Sequence, residues 1–275
     1  MSQTLNAAPA NGHGMGRALV VGGSCAIGQA IARSLASDGR QVTVTYHSSK
    51  AATTAFVKEH KLMEAAQLDI SADRAALESF VLRDKAEHGG KVPNVVVFCA
   101  AGIEPVALGD MDATVFQKHF DTVVRGPLFM IQAMYPHLEP DSRIILFSSA
   151  LARTSAIFDD RYALYASAKA ACEQLTKYLS KTLAAKQTTI NAIAPGPTDT
   201  PGLRAQARSN GTSQSVAEAA QAGDAHVARL ASLAPAKRIG TPEEIASPVR
   251  FLASKEASWI TGAILNVSGG MCVYG

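Results

Sequence analysis

Short apolar runs alternate along the chain with longer stretches whose apolar positions recur at helical spacing. The first run, 17–21 (RALVV), leads into glycines, and helical spacing follows over 29–37. Apolar runs without polar interruption are typical of strands covered on both faces, as in a parallel sheet. The stretches predicted as strands are 17–21, 41–46, 66–70, 94–99, 143–147, 189–193 and 263–267.

The order of these elements predicts the fold class. Strands that alternate with helices indicate an α/β protein, here a Rossmann-like, doubly wound parallel sheet of about seven strands with helices on both faces. No linker or internal repeat divides the 275 residues, so we expect a single domain over 16–275 after a disordered lead-in at 1–15. The stretch at about 201–235, rich in Ala, Gln, Ser and Gly, is predicted to be an insertion that covers the substrate.

Composition and charge exclude several classes of protein. The chain is 47% hydrophobic and 18% charged, with a net charge of +3 and no dense Lys/Arg run, which argues against a nucleic-acid partner. No apolar run approaches membrane-spanning length, and the N-terminal residues fit neither a secretory signal nor a transit peptide. The four cysteines have no metal-binding or redox spacing, so we expect reduced thiols, no metal and a cytoplasmic location.

A glycine turn, Gly22-Gly23-Ser24-Cys25-Ala26-Ile27-Gly28, follows the first strand and opens a helix. This arrangement lets backbone approach a pyrophosphate, while the helix N-terminus supplies N–H groups and positive potential. A tight turn without a ligand would also explain the glycines. If a dinucleotide binds, its contacts are predicted at Gly22, Ser24, Cys25, Ile27 and Gly28.

The end of the second strand bears on the choice of nucleotide. NAD enzymes commonly place an acidic residue there to bind the ribose 2′-hydroxyl. This chain has Tyr46, His47 and Ser48, with Lys50 soon after. Hydroxyls and a cation suit a 2′-phosphate, which an acid would repel. The stretch therefore favours NADP(H) over NAD(H), although a polar strand end with no contact is the alternative.

Residues 162–169 (YALYASAK) place two phenols near one ammonium. Tyr165 precedes Lys169 by four residues and Tyr162 precedes it by seven, and on a helix both offsets put the side chains on one face. An ammonium beside a phenol lowers the phenol's pKa because the cation favours the phenolate. Spacing alone leaves open which tyrosine would act, or whether this is an ordinary buried face.

From about Arg17 to Met271 the chain resembles the short-chain dehydrogenase/reductase family. The resemblance is carried by YASAK at 165–169, INAIAPGPTDTP at 190–201 and RIGTPEEIASPVRFLASKEASWITGAILNVSGG at 238–270. It implies that Tyr165 gives a proton to a carbonyl as hydride arrives from the nicotinamide. It also implies that Lys169 tunes this tyrosine and holds the nicotinamide ribose, and that Ser149 orients the carbonyl.

The resemblance implies further cofactor contacts, written here as expectations. Asp69 and Ile70 would flank the adenine, and the segment Ala100, Ala101 and Gly102 would border the adenosine ribose. The nicotinamide side would be formed by Pro195, Gly196, Thr198 and Thr200, together with Tyr165 and Lys169.

Several positions depart from the family pattern. Val123 stands where the family usually has an asparagine that holds a water in a proton relay, and Cys99-Ala100 replaces an Asn-Asn pair. The segment between Ser149 and Tyr165 is longer than usual, and its extra residues include Asp159 and Asp160. These two acids, Arg161 and Tyr162 are candidate substrate contacts, with solvated loop charges as the alternative for the three charged residues.

These observations predict an NADP(H)-dependent ketoreductase or alcohol dehydrogenase, with a secondary-metabolite ketone as one possible substrate. The alternative is a repurposed family member that binds NADP(H) but reduces an imine, or isomerises or cyclises a secondary metabolite. A non-catalytic nucleotide sensor is a third reading, opposed by the intact Ser149, Tyr165 and Lys169. The family also implies a homo-oligomer, a tetramer or a dimer.

Overall fold

The apolar runs form a parallel sheet in the computed structural model, which describes residues 16–154, 160–209 and 216–272. Within these ranges seven strands pair in the order β3-β2-β1-β4-β5-β6-β7, every pair parallel. This confirms the Rossmann-like, doubly wound fold. The strands, in chain order from β1 to β7, are Arg17–Val21, Gln41–Tyr46, Glu64–Gln67, Val95–Phe98, Arg143–Phe147, Thr189–Pro195 and Ile264–Val267.

Helices cover both faces of the sheet. Strand residues alternate between two apolar cores: Ala18 and Val20 of β1 belong to one, and Leu19 and Val21 to the other. The first core includes residues of α1 and α9, and the second those of α3, α5 and α6. In the described part of the chain the helices α1 to α9 are Ala26–Ser37, Lys50–Glu59, Arg74–Glu87, Ala113–Phe120, Gly126–Met134, Ala163–Ala184, Pro201–Ser209, Val216–Leu233 and Pro242–Leu252.

The third strand is displaced from its predicted position at 66–70. It covers Glu64–Gln67 because it pairs with β2, from Thr43↔Glu64 to Tyr46↔Gln67, and β2 ends there. The final bond runs from Leu68 N to Tyr46 O. Asp69 then accepts from the Ser71 N–H at 2.9 Å, so the chain turns toward α3. Leu68 and Ile70 are therefore buried in the segment that follows β3, and they are not part of the strand.

A π-helical turn, Asp121–Arg125, joins α4 to α5 and contains Val123. Val123 packs in the second core, and Arg125 donates to Ser71 O at 2.6 Å. A Cβ on Gly126 would lie 2.0 Å from Ile70 O, so only glycine fits at the start of α5. The turn therefore fastens α5 against the segment that follows β3.

The predicted insertion contains α7 and α8. Both follow β6, and their residues Leu203, His226 and Leu230 lie over the carboxyl ends of the strands. The lead-in at 1–15 is outside the described residues, as is Asp159. None of the helices among the described residues is long and apolar enough to cross a membrane.

Candidate active site

Ser149, Tyr165 and Lys169 meet at the carboxyl edge of the sheet. Ser149 lies two residues after β5, and its hydroxyl accepts from the Leu151 N–H at 3.2 Å, which caps a short 3₁₀ turn. Tyr165 and Lys169 lie one turn apart on α6. All three are buried and line one cavity. The structure thus brings together the residues that the resemblance pairs, at the edge where open α/β sheets bind ligands.

Lys169 is held by strand β5. Its Nζ donates to Phe147 O at 2.5 Å and lies 5.6 Å from the centre of the Tyr165 ring. The side chain is 2% exposed, and burial lowers the pKa of its ammonium against the opposing effect of the Cys172 and Cys99 thiols. The bond to Phe147 fixes the start of α6 to the strand end that carries Ser149.

The pKa of Tyr165 differs from the sequence-based expectation of a value lowered by Lys169. Burial raises the pKa of Tyr165, and a hydrogen bond with Ser149 opposes the rise. The phenol is 5% exposed, and the Lys169 ammonium is directed at the Phe147 carbonyl. Burial therefore sets the direction of the shift, and Tyr165 stays protonated at neutral pH.

A buried ion pair between Arg153 and Glu173 lies beside the three residues and connects the elements that carry them. Glu173, one turn after Lys169, accepts from the Ser148 hydroxyl at 2.7 Å and from Arg153 Nε at 3.1 Å. Arg153 also donates to Asn266 Oδ1 of β7 at 3.2 Å. Both charges are satisfied by several partners, which offsets the cost of burying them. Glu173 thereby joins α6 to the strand end and to the loop after Ser149.

The glycine turn has the compactness that a phosphate site requires. Gly22 has φ of +80°, and a Cβ there would lie 2.6 Å from the Ala100 backbone. A Cβ on Gly28 would lie 2.6 Å from Gly22 O. The Gly28 N–H donates to Cys25 Sγ at 3.3 Å, so a thiol caps α1. This close packing leaves the start of α1 facing the cavity, where it suits a pyrophosphate.

The second strand ends beside an uncapped helix. Tyr46 is buried, whereas His47 and Ser48 are exposed. His47 Nε2 lies 3.8 Å from the Asp69 carboxylate. Ser49 precedes α2 without a side-chain cap, so the first N–H groups of that helix are not taken up by their own N-cap side chain. The end of β2 thus offers an imidazole ring and helix N–H groups, with the Asp69 carboxylate nearby.

The opposite end of the site is formed by the segment after β6. A Cβ on Gly196 would lie 2.8 Å from Ser268 Cα, and the Thr198 hydroxyl donates to Gly196 O at 3.0 Å. The Thr200 hydroxyl accepts from the Leu203 N–H at 3.1 Å and caps α7. These contacts tie the predicted nicotinamide side to the beginning of the insertion.

The cavity has a volume of about 710 Å³. Of the predicted residues it is lined by Ser24, Cys25, Ile27, Ala101, Gly102, Ser149, Tyr162, Tyr165, Lys169, Pro195, Gly196, Thr198 and Thr200. The remaining described ones lie outside this lining: Gly22, Gly28, Tyr46, His47, Ser48, Asp69, Ile70, Ala100 and Asp160. Asp160 is exposed, and its neighbour Arg161 lines the cavity instead.

Sequence reasoning missed three side chains near the reaction centre. His226 and Arg229 line the cavity together with Arg161, which the sequence offered as a substrate contact, and no carboxylate does so among the described residues. His119 is 3% exposed and packs edge-on against Tyr165 at 6.2 Å between ring centres. The three missed residues come from α4 and α8, so no local spacing relates them to Tyr165 and Lys169.

One group of side chains could share a cation. Donor atoms of Glu64, Asp84 and His88 lie within 4.8 Å of one another, the one such group found among the described residues. Arg17 Nη2 already contacts Asp84 at 2.6 Å. The group lies where β1 and β3 begin, at the edge of the sheet opposite the cavity. It is therefore remote from the reaction centre.

The chain is similar over most of its length to known reductases and dehydrogenases. Residues 22–272 match the family model described as Enoyl-(Acyl carrier protein) reductase. A short chain dehydrogenase of Emericella nidulans is 32% identical over 259 residues, covering 92% of this chain and 94% of that protein. A versicolorin reductase of the same organism is 34% identical over 264 residues, with the same coverage.

Two solved structures are similar over nearly the full length. A blue fluorescent protein from a metagenomic library, in complex with NADPH, has a TM-score of 0.79 at 30% identity, covering 94% of this chain and 98% of that one. The landomycin C-6 ketoreductase LanV with bound NADP and rabelomycin has a TM-score of 0.75 at 27% identity, covering 93% and 96%.

Proposed function

The chain belongs to the short-chain dehydrogenase/reductase family, and we propose that it is an NADP(H)-dependent ketoreductase acting on a secondary-metabolite ketone. The observation that carries the proposal is the convergence of Ser149, Tyr165 and Lys169 in a cavity shared with the glycine turn. A bound nicotinamide would supply the hydride. Ser149 would hold the substrate carbonyl by a hydrogen bond, and Tyr165 would pass its phenolic proton to the carbonyl oxygen.

The wall of the cavity indicates the kind of ketone. Leu151, Leu203 and Leu230 offer apolar surface, while Arg161 and Arg229 add positive charge. A fused aromatic body with ionisable phenols would match both properties. Similarity to a versicolorin reductase and to a ketoreductase solved with rabelomycin supports this substrate class.

The function is tested by mixing the enzyme with NADPH and a panel of carbonyl compounds in a single turnover. We expect loss of NADPH absorbance with polycyclic aromatic ketones, and slower loss with small aliphatic ketones. Nucleotide binding without conversion of any carbonyl in the panel would contradict the proposal.

The alternative function is imine reduction or isomerisation on the same scaffold. Val123 favours it, because this buried apolar side chain replaces the asparagine of the family's proton relay. Turnover that persists after Tyr165→Phe would support the alternative over ketone reduction.

The preference for NADPH has a direct test. Ser48→Asp places a carboxylate at the exposed end of β2, where it would repel a 2′-phosphate but not a 2′-hydroxyl. We expect the Kd for NADPH to rise about tenfold and that for NADH to change little. Fluorescence titration measures both, with Ser48→Ala as the control for the lost hydroxyl. Tighter binding of NADH than NADPH by the wild type would overturn the preference.

The raised pKa of Tyr165 predicts how rate depends on pH. A proton donor must be protonated, and a pKa above the usual value keeps Tyr165 protonated through the neutral range. We expect the rate of hydride transfer to the ketone to vary less than about twofold between pH 6 and 8, and alcohol oxidation to accelerate as pH rises. Stopped-flow measurements in both directions check this. A fall in reduction centred near pH 7 would contradict it.

We also propose that the protein is a homo-oligomer. Large apolar side chains are exposed from α9 to the edge strand β7, at Phe251, Trp259 and Leu265. Light scattering in solution would give the number of copies, and Trp259→Ser should shift the mass toward the monomer.

A further inference from the structure

We infer that Cys25 and Cys99 are an oxidation-sensitive pair that closes into a disulfide across the glycine turn. Their Sγ atoms are 3.8 Å apart, in van der Waals contact. A disulfide requires about 2.0 Å, so the sulfur atoms must approach by about 1.8 Å. This site is additional to the proposed reductase activity and does not depend on it.

The fold brings the two thiols together from distant parts of the sequence. Strands β1 and β4 are neighbours, and Cys99 N donates to Val21 O at 2.9 Å just beyond the last paired residues. The glycine turn then folds back over the end of β4, where Gly22 packs against Ala100. Cys25, three residues on, therefore lies beside Cys99 at the cavity wall.

The two thiols have unequal reactivity. Cys25 belongs to the cavity wall and is exposed, although protein atoms surround most of its sulfur. A hydrogen bond with Cys99, with smaller contributions from the Gly28 and Ile27 N–H groups, lowers the pKa of Cys25 to about 7 against the effect of burial. Hydrogen bonding to Cys25 and burial raise the pKa of Cys99 well above its usual value. Cys25 is thus the attacking thiolate and Cys99 the resolving thiol.

The other two cysteines differ from this pair. Burial raises the pKa of Cys172 to about 11, and burial also raises the pKa of Cys272. Cys172 is 1% exposed and Cys272 is 6% exposed. A buried thiol with a raised pKa is a poor nucleophile. The pair at the glycine turn is therefore expected to react first.

The step balances with hydrogen peroxide as the oxidant. The Cys25 thiolate attacks one peroxide oxygen and the O–O bond breaks, which leaves a sulfenic acid on Cys25 and a hydroxide that takes up a proton to become water. The Cys99 sulfur then attacks Cys25 Sγ, and the S–O bond of the sulfenic acid breaks. The departing hydroxyl takes up the Cys99 proton and leaves as the second water. The two thiols lose two electrons, and the peroxide is reduced to two waters.

The disulfide would change the nucleotide site. Drawing Cys25 toward β4 removes its thiolate as the acceptor for the Gly28 N–H and moves the turn that faces the cavity. This consequence rests on the proposed nucleotide binding, whereas disulfide formation does not. A bound nucleotide would in turn cover Cys25 and slow its oxidation.

The experiment treats the full-length protein with a small excess of hydrogen peroxide and maps its cysteines by mass spectrometry without reduction. We expect a Cys25–Cys99 cross-linked peptide lighter by two hydrogens, free Cys172 and Cys272, and reversal by dithiothreitol. In Cys99→Ser, Cys25 should be trapped as sulfenic acid, and Cys272→Ser should cross-link like the wild type. Four free thiols after treatment, or stable Cys25 sulfenic acid in the wild type, would overturn the inference.

A second measurement follows nucleotide binding in the oxidised protein. We expect the Kd for NADPH to rise at least about tenfold on oxidation and to recover on reduction, and saturating NADPH to slow cross-linking. Unchanged affinity in a fully cross-linked sample would overturn the effect on the site. Absence of NADPH binding before oxidation would instead refute the proposed function and leave the disulfide standing.

Discussion

Replacing Tyr165 with Phe is expected to lower kcat for ketone reduction by at least about 100-fold, the usual contribution of a positioned proton donor. Phe keeps the buried ring and its edge-on contact with His119, so the loss is confined to one hydroxyl. The Kd for NADPH should stay within about twofold of the wild type, because the packing of α6 is retained. Single-turnover hydride transfer and fluorescence titration measure the two quantities separately.

Tyr162→Phe is the matched control, because it removes the same atom from the other tyrosine in the cavity. We expect that variant to alter KM for the ketone more than kcat. Equal losses of kcat in the two variants would contradict the assignment of Tyr165 as the proton donor.

Replacing Lys169 with Met should lower kcat/KM by roughly 100- to 1,000-fold, the range found when one preorganised electrostatic contact is removed. The variant loses the ammonium beside Tyr165 and the bond to Phe147 O that places α6 against Ser149. Tm should change little. An unpaired carbonyl costs about 1 kcal/mol, but the variant no longer buries a cation.

Lys177→Met provides the control on the same helix, since Lys177 is exposed and remote from the cavity lining. It should retain kcat/KM. Steady-state kinetics and thermal unfolding of both variants check the prediction. A Lys169→Met enzyme within about threefold of the wild type would show that the cation has no part in turnover.

Much of the fold could be predicted because its signals are local. β1, β2 and β5 have the predicted limits, since two-sided burial gives an apolar run that ends where the strand ends. β3 could not be placed in this way. Its limits depend on where β2 stops, and its apolar neighbours Leu68 and Ile70 are buried without pairing.

The candidate site likewise has features that local sequence predicts and features that depend on contacts between distant elements. The spacing of Tyr165 and Lys169 follows from helical geometry and is visible in eight residues of sequence. The direction of the Tyr165 pKa shift cannot be read from those eight residues. Burial causes it, and the side chains that bury Tyr165 come from several elements, including His119 of α4. An ammonium four residues away predicts a lowered pKa only while that ammonium is directed at the phenol.

The sequence by itself determined the parallel α/β sheet, the glycine turn after β1 and the family to which YASAK points, because each depends on residues close together in the chain. Only the tertiary structure decided which side chains share the cavity. It placed His226 and Arg229 of α8 in the same cavity as Tyr165, and Cys25 against Cys99. These groups come from elements far apart in sequence, and contact between them exists only once the sheet and its helices have packed.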